Sequence, residues 1–329
     1  MLSIEEIRTT AVQALSKGGV PAAHAEVQLD LLLDAEMRGV PSHGLLRLPR
    51  VIERVANGVT NPETKGTQSW RGHAMLDVDG ESGLGPVVAL AALETATERV
   101  RETGACVVAI RNCDHLGMLA FYAEKLALEG RVLLGMTVSE ALVHPYGGRR
   151  AMIGTNPITI GVPAKPFPFV FDMATSLVSM GKIHDHANRG VAIPAGWALD
   201  ADGNPTTDPI AAKTGAIAPF GGAKGYGLGL AFEVLVSSLT GSAIGTAVKG
   251  TLDSTHRCNK GDLFVVLEPA SGALPLVSGF LEELRQSAPA DPALPVRVPG
   301  DRAVATRERA GRDGLSVAPE VWDRICALA

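Results

Sequence analysis

Gly221-Gly222-Ala223-Lys224-Gly225-Tyr226-Gly227-Leu228-Gly229 decides whether a standard dinucleotide-binding fold is on offer. Backbone amides at a helix start bind anions, and Lys224 adds positive charge, so the stretch invites a phosphate-loop reading. Its spacing fits neither G-x-G-x-x-G after a strand nor G-x-x-x-x-G-K-[ST]. Close helix packing explains Gly225, Gly227 and Gly229 as well, and an apolar helix follows through Leu239. Gly83-Leu84-Gly85 lacks a third glycine in place, and no other segment offers such a fingerprint. The fold must therefore be read from the periodicities on either side.

Upstream, strands are expected at Ala74–Asp79, Ala105–Ile110, Val132–Val138, Ile158–Val162 and Phe169–Phe171, with Trp197 to Leu199 running into a tight turn at Asp200 to Pro205. Downstream, Asp262–Leu267 is another. Val87 to Arg101 and the stretch after Gly117 read as helices. The first sixty residues are helical. Ser3 with Glu6 reads as a capping box, Gly18-Gly19 as a stop, Pro21 as a second helix start and Gly39 as its end. The chain turns charged and helical again after Gly279, around an extended proline-rich stretch from Pro289 to Pro299. The similar composition of the two ends predicts one helical unit interrupted by a strand-rich centre.

The 329 residues are 46% apolar but only 4% aromatic, with 37 glycines, which predicts an aliphatic core in an α/β (α+β) enzyme. A net charge of −5, without a basic stripe, gives no case for nucleic acid. Cys106, Cys113, Cys258 and Cys326 are scattered, so neither zinc nor a disulfide framework is indicated. His184 and His186 stand without a further ligand cluster, and no metal is expected. No apolar run spans a bilayer and no signal peptide is read, so a cytoplasmic protein is the expectation.

Acid/base chemistry concentrates in Pro41-Ser42-His43-Gly44-Leu45-Leu46-Arg47-Leu48-Pro49-Arg50. If Ser42 caps a helix, His43 and Arg47 share one face of it, and an imidazole beside a guanidinium can move a proton and hold a carboxylate. Ser42 is equally an ordinary N-cap, and Pro49 should kink or end the first part of that helix. His115 follows a buried-strand pattern, where α/β enzymes place ligands, or is a hydrogen-bonded turn histidine. Thr155-Asn156 reads as turn chemistry, and Asp172 as a helix cap or a ribose ligand.

Six motifs then occur in order: Ser42-His43-Gly44-Leu45-x-Arg47, Asn112-x-x-His115-x-Gly117, Gly154-Thr155-Asn156-Pro157, Asp172-x-Ala174-Thr175-Ser176, Gly196-Trp197-Ala198-Leu199-Asp200 and Gly221-Gly222-x-Lys224-Gly225-Tyr226-Gly227. Together they resemble the type-2 malate/L-lactate dehydrogenase family. The resemblance implies a homodimer with a non-Rossmann nicotinamide-binding domain, a mostly antiparallel sheet flanked by helices. On that reading residues 1–70 and 280–329 form a helical domain carrying the catalytic helix, 71–120 a small α/β segment, and 121–279 the nicotinamide-binding domain.

The resemblance implies that His43 is the general acid/base, that Ser42 relays to it, and that Arg47, Thr155 and Asn156 bind substrate. It assigns NAD or NADP to His115, Leu116, Gly117, Met118, Leu119, Thr155, Asp172, Met173, Ala174, Ala223, Lys224, Gly300 and Asp301. Val51 replaces a tyrosine common in relatives. Lys182 stands where a cyclic-imine branch has a relay aspartate, which leaves it as the possible relay group and argues against imine reduction. Thr251 to Asp262 resembles the sulfolactate branch. The implied activity is interconversion of a small 2-hydroxy acid and its 2-oxo acid. The alternatives are an oxo-acid or cyclic-imine reductase, and a cofactor-binding protein without turnover.

Overall fold

The computed structural model describes residues 1–329. Helices α1 (Ile4–Lys17) and α2 (Ala22–Met37) lead through two short 3-10 turns, Pro41–His43 and Leu45–Arg47, into α3 (Leu48–Ala56). Next come β1 (Thr67–Trp70), β2 (Met75–Asp79), α4 (Gly85–Thr103), β3 (Ala105–Arg111), α5 (Ala120–Leu128), β4 (Val132–Thr137), β5 (Ile158–Val162) and β6 (Phe169–Met173). The excursion after β6 contains α6 (Met180–Arg189), β7 (Ala198–Leu199), β8 (Pro205–Thr206), α7 (Pro209–Ala212) and β9 (Ala216–Ile217). The chain closes with α8 (Ala223–Thr240), β10 (Gly261–Leu267), α9 (Ala273–Gln286), α10 (Asp301–Asp313) and α11 (Pro319–Leu328).

Local chemistry sets the helix ends. Ser3 Oγ accepts from the Glu6 amide at 3.1 Å and starts α1. Gly104 and Gly241 end α4 and α8 in the left-handed region that glycine enters freely.

Seven strands form one sheet in the order β1-β2-β3-β10-β4-β5-β6. Only β2 and β3 run parallel, joined across α4; every other neighbour is antiparallel. The expected mostly antiparallel sheet flanked by helices is therefore present. Strand alternation divides its side chains between two faces. Phe264 and Val266 of β10 join a core of 42 buried residues with α1 to α5, Ala310, Leu315 and Ile325, so one apolar interior unites both chain ends with a sheet face. Leu263 points the other way, with Met136, against Phe232 and Val236 of α8. A small antiparallel sheet, β8-β7-β9, packs with α6 and α7 around Ile183, Ala198 and Ile217.

The segment read as a single catalytic helix is not one. Gly44, at φ −97° and ψ −145°, breaks it into the two 3-10 turns, and Ser42 caps nothing. The cause lies in α2. Glu36 Oε1 accepts the Leu45 amide at 2.8 Å, and a Cβ on Gly44 would sit 2.3 Å from that oxygen. Pro49 occupies the first turn of α3, where its missing N–H costs nothing, so it helps start a helix rather than end one. No helix is long and apolar enough to cross a membrane.

Candidate active site

Strand register brings the candidate residues to one end of the large sheet. Arg111 pairs with Gly261, Asp262 with Thr137, Met136 with Ile158, and Ile158 with Met173. The last residues of β3, β4 and β6 thus lie beside the first residues of β10 and β5. His115 to Leu119 follow β3, Thr155 and Asn156 precede β5, and Asp172 to Ala174 close β6.

Over this end stand the 3-10 turns. Ser42 Oγ lies 3.0 Å from His43 Nδ1, and the His43 and His115 rings are 5.6 Å apart between centroids. Arg47 folds back so that its Nε donates to the Ser42 carbonyl at 2.8 Å. His43 and Arg47 therefore meet through the broken turn, not through a shared helical face. His115 Nδ1 accepts from the Gly117 amide at 2.8 Å, which leaves the proton of the neutral ring on Nε2. Gly117 is required there: at φ +73° it passes α2 so closely that a Cβ would fall 2.0 Å from Leu31.

Both imidazoles are half-buried and crowded by protein. Loss of hydration, reinforced by the Arg47 charge, lowers the His43 pKa to about 3. His115 is pushed down by the same desolvation and by Arg47, His43, Lys260 and Arg50. Arg47 falls to about 10, through desolvation and the Arg50 charge, and stays cationic at neutral pH. The site thus holds two neutral imidazoles beside a fixed cation, an arrangement able to accept a proton and bind a carboxylate.

A cleft next to His115 is lined by Arg47, Arg50 and Arg54, with Gln28, Leu31, Leu32, Val51, Asp114 and Thr251. Arg54 is buried and occupied. Its Nη2 and Nε reach Asp114 at 2.7 and 3.1 Å, and its Nη1 donates to the Asp253 and His256 carbonyls at 2.7 and 3.2 Å. Glu140 Oε1 accepts from the Thr251 and Leu252 amides at 2.8 and 3.0 Å, tying the strap that carries Thr251 to the end of β4.

The residues assigned to a cofactor fall into two groups. Asp172 Oδ2 accepts the Ala120 amide at 2.7 Å, joining β6 to the N-terminus of α5. Solvent reaches this carboxyl, but the surrounding protein strips enough hydration to raise it to about 6, against the lowering effect of the Ala120 amide. Met173 and Ala174 follow it, half-buried, while the side chains of Leu116, Met118 and Leu119 are spent in the main core, so their backbone is what they can present to a ligand.

Thr155 accepts the Thr175 amide at 2.8 Å, and Thr175 accepts the Phe220 amide at 3.1 Å, which brings the start of α8, with Ala223 and exposed Lys224, to the same end. Gly221 and Gly222 reach it at φ +57° and +63°, and no side chain caps that helix start. Gly300 lies apart, against Val170 further back along β6, and Asp301 is paired with Arg285.

Asn156 is fully buried; its Nδ2 donates to the Gly229 carbonyl at 3.0 Å and to Glu233. Lys182 is exposed on α6 without a hydrogen bond from its side chain, although a Cβ on its neighbour Gly181 would lie 3.3 Å from Ser42 Cβ.

Sequence reasoning missed Glu36, which shapes the Ser42–Arg47 turn, and Glu233, which accepts the Gly154 and Gly245 amides at 3.1 and 2.7 Å and so fixes the Thr155 loop to α8. Neither acid carries a local signal. Arg50 and Arg54 did: they follow Arg47 at helical spacing.

A family model described as malate/L-lactate dehydrogenase matches residues 2–326. The L-sulfolactate dehydrogenase of Methanocaldococcus jannaschii is 35% identical over 99% of this chain and 95% of its own length. The (2R)-3-sulfolactate dehydrogenase (NADP(+)) of Chromohalobacter salexigens is 35% identical over 100% and 98%. A solved dehydrogenase from Sinorhizobium meliloti is 52% identical, covers 99% of this chain and 97% of its own, and superposes with a TM-score of 0.96.

Proposed function

The chain belongs to the malate/L-lactate dehydrogenase family, and on that premise we propose that it interconverts a 2-hydroxy acid and its 2-oxo acid using a nicotinamide dinucleotide. The observation that carries the proposal is His43, held by Ser42 and facing His115, with the Arg47 cation alongside. Alcohol oxidation needs a neutral base at the hydroxyl, and burial keeps His43 in that form. It also needs the acid held in one orientation. Arg47 has only Nε committed, so both terminal nitrogens remain for a bidentate carboxylate.

In this reading Ser42 holds the ring through Nδ1, which leaves Nε2 to exchange the proton with substrate. His115, neutral with its proton on Nε2, donates toward the substrate oxygen. Asn156 acts from the interior by positioning Thr155, and Lys182, exposed and without a side-chain hydrogen bond, takes no part in this reading.

The uncapped N-terminus of α8 with Lys224 suits the phosphates of a dinucleotide, and Asp172 with the His115–Leu119 backbone suits its more polar sugar and amide groups. When bound, the nicotinamide would exchange hydride with the substrate carbon bearing the oxygen. Leu228, Val234 and Leu235 expose an apolar stripe along α8, 38 to 51% accessible, which supports pairing of two copies.

Turnover is tested by following nicotinamide absorbance with a panel of 2-hydroxy acids and both cofactors. A His43→Ala variant that retains full turnover would falsify the acid/base role.

A further inference from the structure

We propose that Arg50 binds a second anionic group on the substrate, so that the site selects 2-hydroxy acids that are dianions. The inference rests on the dehydrogenase reading above and specifies its substrate class. Arg50 and Arg54 follow Arg47 by three and seven residues on the start of α3, a spacing that places all three on one side of the helix, and all three border the cleft beside His115. Their charges are balanced differently. Arg54 is neutralised by Asp114, the one carboxylate lining the cleft, and its remaining donors are committed to carbonyls. Arg47 spends only Nε, on a carbonyl. Arg50 is exposed and makes no side-chain hydrogen bond or ion pair within the chain.

The cleft therefore carries two cations with no protein anion to match them. A monocarboxylate held by Arg47 balances one. The second is close enough to disfavour protonation of both Arg47 and His115. A substrate with its carboxylate on Arg47 and a carboxylate or sulfonate on the carbon next to the carbinol balances both. Arginine suits either group, because its planar fork offers paired donors to oxyanions. The apolar floor of Leu31 and Leu32 lowers the local dielectric and strengthens the second contact.

The test compares kcat/KM for malate and 3-sulfolactate with that for 2-hydroxybutyrate, in the full chain and in Arg50→Gln and Arg50→Lys variants. The unmodified enzyme should prefer the dianions. Arg50→Gln should lower the dianion-to-monoanion ratio ~10- to 100-fold, mainly through KM, as expected for loss of one charged hydrogen-bonding partner. Arg50→Lys should retain part of it, because it keeps the charge and loses the fork. A ratio within about twofold of the unmodified value in Arg50→Gln overturns the proposal. So does an effect confined to the KM of NADP, which would place Arg50 on a cofactor phosphate. Absence of turnover on every 2-hydroxy acid in the folded, unmodified chain overturns the underlying dehydrogenase reading, and the role of Arg50 with it.

Discussion

Ser42 Oγ and His43 Nδ1 are 3.0 Å apart, a contact between adjacent residues of the 3-10 turn that ends at Gly44. In the proposed reaction this contact holds Nδ1 and leaves Nε2 for the substrate. Ser42→Ala should lower kcat up to ~10-fold, the worth of one hydrogen bond, with little change in KM. His43→Ala should lower it ~100- to 10,000-fold, the usual contribution of a general acid/base. Steady-state kinetics separates the two, and equal losses would contradict the ordering of roles.

The depressed His43 pKa fixes the pH dependence and its sign. In the free enzyme the ring is neutral above about 3. For oxidation, which needs the neutral base, kcat/KM should show no break from His43 near about pH 6.5, where an unperturbed histidine titrates. For reduction, which needs the protonated ring, kcat/KM should fall about tenfold per unit as pH rises, since the protonated fraction does. A bound carboxylate cancels the Arg47 charge that helps lower this pKa, so the break in kcat should lie at higher pH than that in kcat/KM. Profiles of both parameters in both directions check the sign.

Gly44→Ala should damage the site more than its size suggests. Its Cβ would collide with Glu36 Oε1, evict the carboxylate from the Leu45 amide and re-aim both His43 and Arg47. Expected are a loss of ~1–3 kcal/mol in stability, for an amide left without its acceptor, and a larger proportional loss of kcat/KM. Urea unfolding with kinetics on the same sample measures both, and an unchanged kcat/KM would show that the turn does not aim the catalytic groups.

Arg54 and Asp114 are 5% and 7% exposed and anchor both Thr60 and the strap bearing Thr251. Asp114→Ala should cost ~3–5 kcal/mol, because it strands a buried guanidinium. The double change Arg54→Met with Asp114→Ala should recover part of that loss. A single change that leaves the unfolding midpoint in place would contradict the pairing.

Much of the fold is legible in the amino-acid sequence itself. Glycine stops, the Ser3 cap and the β-branched runs announce most elements, because each is a local preference written within a few residues. The Gly221–Gly229 stretch is a helix start, and the missing dinucleotide fingerprint agrees with a sheet that is almost wholly antiparallel. The Ser42–Arg47 segment misleads for a non-local reason. Its helical spacing is genuine, but Glu36 on the preceding helix intrudes and only glycine fits opposite it. Glu233 is hidden likewise: an acid within an apolar helix shows its purpose only when the Gly154 and Gly245 amides arrive from distant loops. Strand order is not legible either, since alternation marks a strand's faces and not its neighbours.

That strand order makes β10 the keystone of assembly. It pairs with β3 on one side and β4 on the other, yet it is the last strand to leave the ribosome. Without residues 261–267 the sheet falls into two halves, β1-β2-β3 and β4-β5-β6, whose inner edges have no partner. Such edges are templates for wrong pairing, and closing them requires contacts between residues far apart in sequence. Lys260 and Asp262, which enter with this strand as a buried pair beside Thr137 and near Cys113, tie it to β4 at the end of the sheet where the candidate-site loops meet. The end of the sheet that carries the candidate site is thus completed by the same strand that closes the fold.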